Sequence, residues 1–337
     1  MTLFDVDSPI IAAPMAGGPT IPSLVLAAAQ AGAFGFLAGG YKTPAALESE
    51  IAEVRAASIP FGVNLFAPSP VPVDPAAFDH YRDALRDAAA RFDVDLGGAP
   101  PRDDDDEFGA KVALLLEDPV PVASFTFGIP AVDTIRRLQR AGTIVVQTVT
   151  SVAEAQAAVG AGVDVLAVQA AAAGGHWGTL TPDRPPSPLP LIELLSAVRD
   201  EASLPLVAAG GIGTPADVAS ALHAGASAVM VGTALLRAPE SGTSAPYRAA
   251  LAGDRDTVVT RAFSGRPARG LRNTFIDRYD AIAPLGYPAI HHLTSPLRKA
   301  STAAGDPEWT NLWAGTGYRD GTDEPAATIL SGLTARL

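Results

Sequence analysis

Leu204-Pro205-Leu206-Val207-Ala208-Ala209-Gly210-Gly211-Ile212-Gly213-Thr214-Pro215 opens the stretch that decides the fold, and Ala224-Gly225-Ala226-Ser227-Ala228-Val229-Met230-Val231-Gly232-Thr233 closes it. Leu204 to Ala208 is a short apolar run that reads as a buried strand. Thr214 caps, and Pro215 starts, a helix that reaches His223. Gly225 closes that helix in the left-handed conformation only glycine adopts freely. Ala226 to Val231 is a second apolar run. Strand, glycine-rich turn, capped helix, glycine and strand together make one βαβ unit, and such units build parallel sheets.

The same joint recurs upstream. Ala31-Gly32-Ala33, Ala141-Gly142-Thr143 and Ala161-Gly162-Val163 each stand where a helix ends and a strand begins. The strands predicted in order are Pro9–Ala13, Phe34–Ala38, Phe61–Leu65, Val120–Phe125, Thr143–Gln147, Val163–Gln169, Leu204–Ala208 and Ala226–Val231. Helices are predicted over 22–31, 44–55 (capped by Thr43), about 75–91, about 130–141, from a cap at Thr150 or Ser151 to 159, 191–201 and 214–223. Eight units in about 235 residues is the size of an α/β TIM (β/α)8 barrel. A doubly wound open sheet is disfavoured, because no G-x-G-x-x-G fingerprint follows a strand. From Arg237 the pattern breaks. Helical pieces at 247–251 and 254–259 and the arginine-rich stretch Arg261–Gly270 suggest a smaller appended domain near the C-terminus, spanning 239–310. The barrel would then be 1–238 plus 311–337, with a last helix over 326–336.

Composition narrows the function. The chain has 337 residues, 48% of them hydrophobic, and a formal charge of −12. That charge repels nucleic acid and anionic lipid. With no cysteine, thiolate nucleophiles, iron–sulfur clusters and zinc–thiolate sites are excluded. A phosphate-binding barrel working through a cysteine nucleophile, as in the inosine-monophosphate dehydrogenase branch, is excluded with them. The N-terminus lacks the basic region of a signal peptide, and no apolar run is long enough to span a membrane. A cytoplasmic protein is the expectation, and an oligomer is compatible with it. No histidine pair has metal-ligand spacing, so no metal is predicted. The run Asp103-Asp104-Asp105-Asp106 lacks the spacing of a calcium loop and is read as a solvated, mobile loop.

In such a barrel the active site lies at the carboxyl ends of the strands. That face would hold Ala13, Pro14 and Met15, Asn64, Gln147, Gln169, Gly174 and Gly175 with His176, Gly210 and Gly211, and Met230, Val231, Gly232 and Thr233. Glycine-rich turns after strands seven and eight can bind a phosphate through backbone N–H groups, without a lysine. Asn64, Gln147 and Gln169 are uncharged donors and acceptors suited to the polar edge of a flavin or a base. His176 can move a proton near neutral pH. His80 reads as solvent-facing and His223 as a helix-end residue, where a cation complements the dipole; His291 and His292 in the appended region could reach a pocket, but the surface reading is favoured.

The blocks Ala12-Ala13-Pro14-Met15-Ala16-Gly17, Gly62-Val63-Asn64-Leu65, Gln169 through Gly174-Gly175-His176, Ala208-Ala209-Gly210-Gly211-Ile212 and Met230-Val231-Gly232-Thr233 resemble the nitronate monooxygenase family, formerly called 2-nitropropane dioxygenases. The resemblance spans the barrel, and its most specific part is Gly-Gly-His. It implies non-covalent FMN, held by Asn64, Gln169, Gly174, Gly211 and 230–233, and a catalytic base at His176. It also implies a small nitro or nitronate substrate, with dioxygen as oxidant and carbonyl compound and nitrite as products. One position departs from the family: a glutamate is common four residues before the histidine, and here Ala172 stands there. Its role must be absent or filled elsewhere. The competing readings are an NAD(P)H-dependent flavin reductase acting on quinones or enoyl thioesters, and a flavin-binding protein without turnover.

Overall fold

The computed structural model describes residues 3–69, 71–98, 100–335 and 337. Among these the strands are β1 (Ile10–Ala12), β2 (Phe34–Ala38), β3 (Phe61–Phe66), β4 (Val122–Thr126), β5 (Ile144–Val149), β6 (Val165–Gln169), β7 (Gly175–His176), β8 (Leu206–Ala209), β9 (Ala228–Val231), β10 (Thr257–Thr260) and β11 (Ala268–Leu271). The barrel is closed and parallel, in the order β1-β2-β3-β4-β5-β6-β8-β9, and β1 also pairs with β9. This is the TIM barrel expected from the βαβ pattern. The helices are α1 (Pro22–Gln30), α2 (Pro44–Arg55), α3 (Pro75–Ala84), α4 (Arg86–Ala90), α5 (Phe108–Glu117), α6 (Val132–Arg140), α7 (Val152–Ala161), α8 (Leu191–Glu201), α9 (Pro215–His223), α10 (Ala245–Leu251), α11 (Thr274–Tyr279), α12 (Ala289–Ala303) and α13 (Ala326–Leu333).

The caps are those the residue types call for. Thr43 Oγ1 accepts from the Ala46 amide ahead of α2, and Ser151 Oγ accepts from Glu154 ahead of α7. Thr214 and Asp217 form a reciprocal capping box at α9. Each satisfies N–H groups that the first helical turn leaves free. Gly32, Gly142, Gly162 and Gly225 all take positive φ at the joints.

The barrel interior is filled at its amino end by Ile11, Phe34, Phe36, Val122, Val146, Val165 and Val207, with Phe4 closing the bottom. Around the outside, the helices pack on the other faces of the strands in one continuous apolar layer that includes Ala326, Leu330 and Leu333 of α13. The predicted end of that helix, Arg336, lies outside the described residues. A second core joins Phe78, Tyr81, Leu85 and Ala88 of the α3–α4 region to Phe263, Phe275, Tyr279, Ile290, Leu297 and Trp309.

Three local expectations are corrected. The helix over 75–91 breaks at Leu85 into α3 and α4. The piece over 254–259 is not helical: Thr257-Val258-Val259-Thr260 forms β10, as a β-branched run favours. An unexpected helix, α5, follows the acidic run and buries Lys111, Val112 and Leu115. Outside the barrel, β10, β11 and β7 form a three-stranded sheet, which ties the Gly-Gly-His segment to the arginine-rich stretch.

Candidate active site

A cavity of about 1370 Å³ opens at the carboxyl ends of the barrel strands. Every predicted site residue lines it except Gln147. Thr148 faces the cavity and Val146 the barrel interior, so Gln147 between them points to the helix layer with Val145 and Val149. Gln147 is fully buried, and its Nε2 donates to the Thr148 carbonyl. Its assignment to a cofactor is therefore withdrawn.

One end of the cavity is a cradle of glycine turns. Gly210 and Gly211 have φ of +105° and +77°. A Cβ on Gly210 would lie 2.9 Å from the Ala170 carbonyl oxygen, so only glycine lets this turn fold back on the β6 loop. The backbone N–H groups of Gly211, Ile212, Gly232 and Thr233 donate to no partner among the described residues. Ile212 is buried and the other three are half-buried, so these N–H groups line the cavity as donors. The helix expected after Gly232 is a single 3-10 turn, Thr233–Leu235. What this end offers an anion is its amides, not a long helix dipole.

Asn64 sits at the end of β3. Its Nδ2 lies 3.3 Å from the Ser124 carbonyl oxygen, 2.9 Å from Ser124 Oγ and 3.0 Å from Thr126 Oγ1. The carbonyl can only accept, which orients the amide and leaves Oδ1 for a ligand. Gln169 lines the cavity and also has a structural task. Its Oε1 accepts from the Gly178 amide (2.7 Å) and its Nε2 donates to the His176 carbonyl (3.3 Å), so it staples the histidine loop.

His176 lies in β7, paired with Ala268 of β11. Gly174 before it has no room for a Cβ, which would fall 2.5 Å from the Gly315 amide nitrogen. Phe127, Tyr287 and Trp313 surround the imidazole with ring centroids at 5.7, 5.8 and 5.3 Å. Ser264 Oγ lies 2.8 Å from Nε2. Ser264 Oγ also lies 3.2 Å from the Arg266 carbonyl oxygen and accepts from the Arg266 amide at 3.3 Å, so the hydroxyl is fixed against the ring, and the neutral imidazole carries a proton on one nitrogen and a lone pair on the other. Burial, with the nearby Arg266 and Arg298 guanidinium groups, pushes His176 down to about 3. The ring is thus a neutral proton acceptor at any physiological pH.

At the departure from the family pattern, Ala172 puts no carboxylate beside the ring, and the polar side chain in contact with it is Ser264. Ala172 is held in the β6 loop, its carbonyl accepting from the Thr316 amide at 3.0 Å.

Several residues of the site were not foreseen. His291, expected at the surface, stacks on Tyr41 (4.2 Å, 1°) with Nδ1 3.2 Å from Arg298 Nη2. Tyr41 OH is 3.4 Å from Tyr287 OH. Tyr287 stands in the turn that leads into α12 and His291 in its first turn, and no local pattern in the sequence marks the pair. Among the described residues, no group of three or more metal-ligating side chains occurs.

The acidic run is corrected as well. Asp103 and Asp105 are exposed, but Asp104 and Asp106 are not. Asp106 accepts from the Tyr41 amide at 3.0 Å and ion-pairs with Lys111 at 2.8 Å, and Lys111 is 1% exposed. Asp104 pairs with Arg102 (2.7 Å) and lies 3.0 Å from His292 Nε2. The loop is tied down over the cavity mouth. Asp106→Ala should cost about 3 kcal/mol, because it strands the buried Lys111 charge. Asp103→Asn and Asp105→Asn should each stay within about 0.5 kcal/mol. Urea unfolding of the three variants checks this; equal effects would mean the run behaves as one solvated face after all.

Comparison with known proteins agrees with this geometry. Residues 2–335 match the family model described as nitronate monooxygenase. A probable nitronate monooxygenase from Staphylococcus aureus is 36% identical over 98% of this chain and 94% of the relative. The crystal structure of a nitroalkane oxidase from Streptomyces ansochromogenes superposes with a TM-score of 0.92 at 43% identity, covering 98% of this chain and 96% of that one. FabK from Thermotoga maritima is more distant, with a TM-score of 0.76 at 26% identity over 98% of this chain and 93% of that one.

Proposed function

Because this chain belongs to the nitronate monooxygenase family of oxidoreductases, we propose that it oxidises alkyl nitronates with dioxygen to a carbonyl compound and nitrite, using FMN, and that His176 is the base toward neutral nitroalkanes. The observation that carries this reading is a neutral histidine, oriented by Ser264, in the same cavity as four unpartnered backbone amides. The amides of Gly211, Ile212, Gly232 and Thr233 would hold the FMN phosphate, and Asn64 Oδ1 would meet the ring system. Electron transfer from nitronate to dioxygen is the chemistry that bound FMN supplies.

The protein's own residues handle the proton. His176 takes the α-proton of the nitroalkane, and the C–H electron pair moves into the nitro group to give the nitronate. A base held as low as about 3 binds a proton weakly in the free protein. The nitronate forms beside the imidazolium, and that opposite charge favours the protonated ring at the moment it is needed. Phe127, Tyr287 and Trp313 keep water from competing for the proton.

Two expectations test this. Heat-denatured protein should release FMN, and nitroalkane turnover should consume oxygen and release nitrite; FAD, or no nitrite, would contradict the reading. Ser264→Ala should lower kcat/KM on neutral nitroalkanes about three- to tenfold, the loss expected when a hydrogen bond of about 1 kcal/mol that orients the base is removed. Flavin content should not change. Unchanged kcat/KM would mean Ser264 does not position the ring.

A further inference from the structure

The stretch Arg261–Gly270 backs the His176 loop along its length. Beyond the β7–β11 pairing and the Ser264 contact, the Trp177 amide donates to the Pro267 carbonyl at 3.0 Å, and Arg269 Nε donates to the Ala171 carbonyl at 2.8 Å. Arg266 stands out within it. It is 0% exposed, yet Nε and Nη1 have no hydrogen-bond partner, and only Nη2 donates, to the Thr179 carbonyl. Its guanidinium carbon sits 4.0 Å from the centroid of the Phe127 ring, whose other contacts include the His176 ring.

No carboxylate neutralises it. Glu154 is the nearby acid, but its oxygens accept from Thr150 N and Oγ1, Thr179 Oγ1 and the Leu180 amide, and it forms no ion pair with Arg266. A buried, underpartnered cation is costly. The ring contact with Phe127 offsets part of that cost, but a Met or Leu would pack the same space without it. The charge therefore calls for a reason outside stability. The charged groups acting on the His176 ring are Arg266 and, from α12, Arg298; the neutral His291 of α12 interacts with it, Phe127, Tyr287 and Trp313 are the uncharged rings beside it, and among the described residues no carboxylate acts on it.

We propose that Arg266 is a positioning residue: a fixed positive charge behind the His176 ring that keeps the imidazole in its proton-accepting form until an anion forms in front of it. The consequence for the reaction rests on the reading of His176 as the base. The field itself does not.

The test uses the holoenzyme with isotope-labelled histidine, comparing the parent with Arg266→Met, Arg266→Gln and Arg266→Lys. NMR follows the His176 titration, and steady-state kinetics follow kcat/KM for a neutral nitroalkane against pH. In the Met and Gln variants, His176 should titrate about one to two pH units higher, the scale on which one nearby like charge acts. The Lys variant, which keeps the charge, should stay near the parent. The acid limb of kcat/KM should move with the titration. Arg266→Met should be at least as resistant to unfolding as the parent, since an unpaired charge has been removed. A His176 titration unmoved in both neutral variants overturns the proposal. A titration that moves while the rate limb stays put upholds the field of Arg266 and overturns instead the assignment of His176 as base.

Discussion

His176→Asn is expected to retain flavin and to lose roughly two to four orders of magnitude in turnover of neutral nitroalkanes, the range for removing a general base. Asparagine keeps a polar group that can still reach Ser264, and Gln169 still staples the loop through the residue 176 carbonyl. The flavin-side residues are untouched. What disappears is the neutral imidazole held between Phe127, Tyr287 and Trp313. Preformed nitronate needs no proton removed, so its turnover should fall much less. Rates for both substrate forms at matched flavin occupancy decide the matter. Equal losses would make His176 an electrostatic or binding residue, and no loss would make the Gly-Gly-His turn purely structural. The pH profile adds a sign. Burial and two arginines hold His176 near 3 against its ordinary 6.5. Its acceptor form is therefore complete above that range, and is lost only as pH falls toward about 3. The parent should show no acid limb near neutrality.

Gly232→Asp should abolish flavin retention in a folded barrel. Gly232 has φ −121°, which any residue adopts, and a Cβ there would meet Ala13 Cβ and Met15 Sδ at 3.3 Å, a contact the flexible methionine can relieve. The added carboxylate would stand among the amides of Gly232 and Thr233, where a phosphate is expected. Repulsion between two such charges at about 4 Å lies between roughly 1 and 4 kcal/mol, depending on how far water penetrates. With donors lost as well, flavin affinity should drop about a hundredfold or more. Gly232→Ala is the control and should lose less than about tenfold, since it adds the Cβ without the charge. Near-normal affinity in folded Gly232→Asp would place the phosphate elsewhere.

The legible parts of the fold were those written in local chemistry. Caps at Thr43, Ser151 and Thr214 and glycines at 32, 142, 162 and 225 mark helix ends without reference to the rest of the chain. The glycine turns of the cradle are legible for the same reason. Gln147 was misread because β5 is buried on both faces. Thr143-Ile144-Val145-Val146-Gln147 shows no alternation, so nothing local says which face a side chain takes. The contacts of Ser264 and Arg266 with the histidine segment were invisible because about ninety residues separate them in sequence. An arginine-rich stretch also reads as surface until a structure buries it. The acidic run misled in the opposite way: alternate residues are solvated, while the others hold a buried lysine and a tyrosine amide.

The most direct test of the central claim is anaerobic. Purified yellow protein is mixed with alkyl nitronate in one cuvette and with NADH in another, and the flavin absorbance is followed. Rapid bleaching by nitronate, with NADH leaving the spectrum unchanged over the same time, is the predicted result. Rapid bleaching by NADH, with nitronate leaving the flavin oxidised, would contradict it and make the protein a flavin reductase.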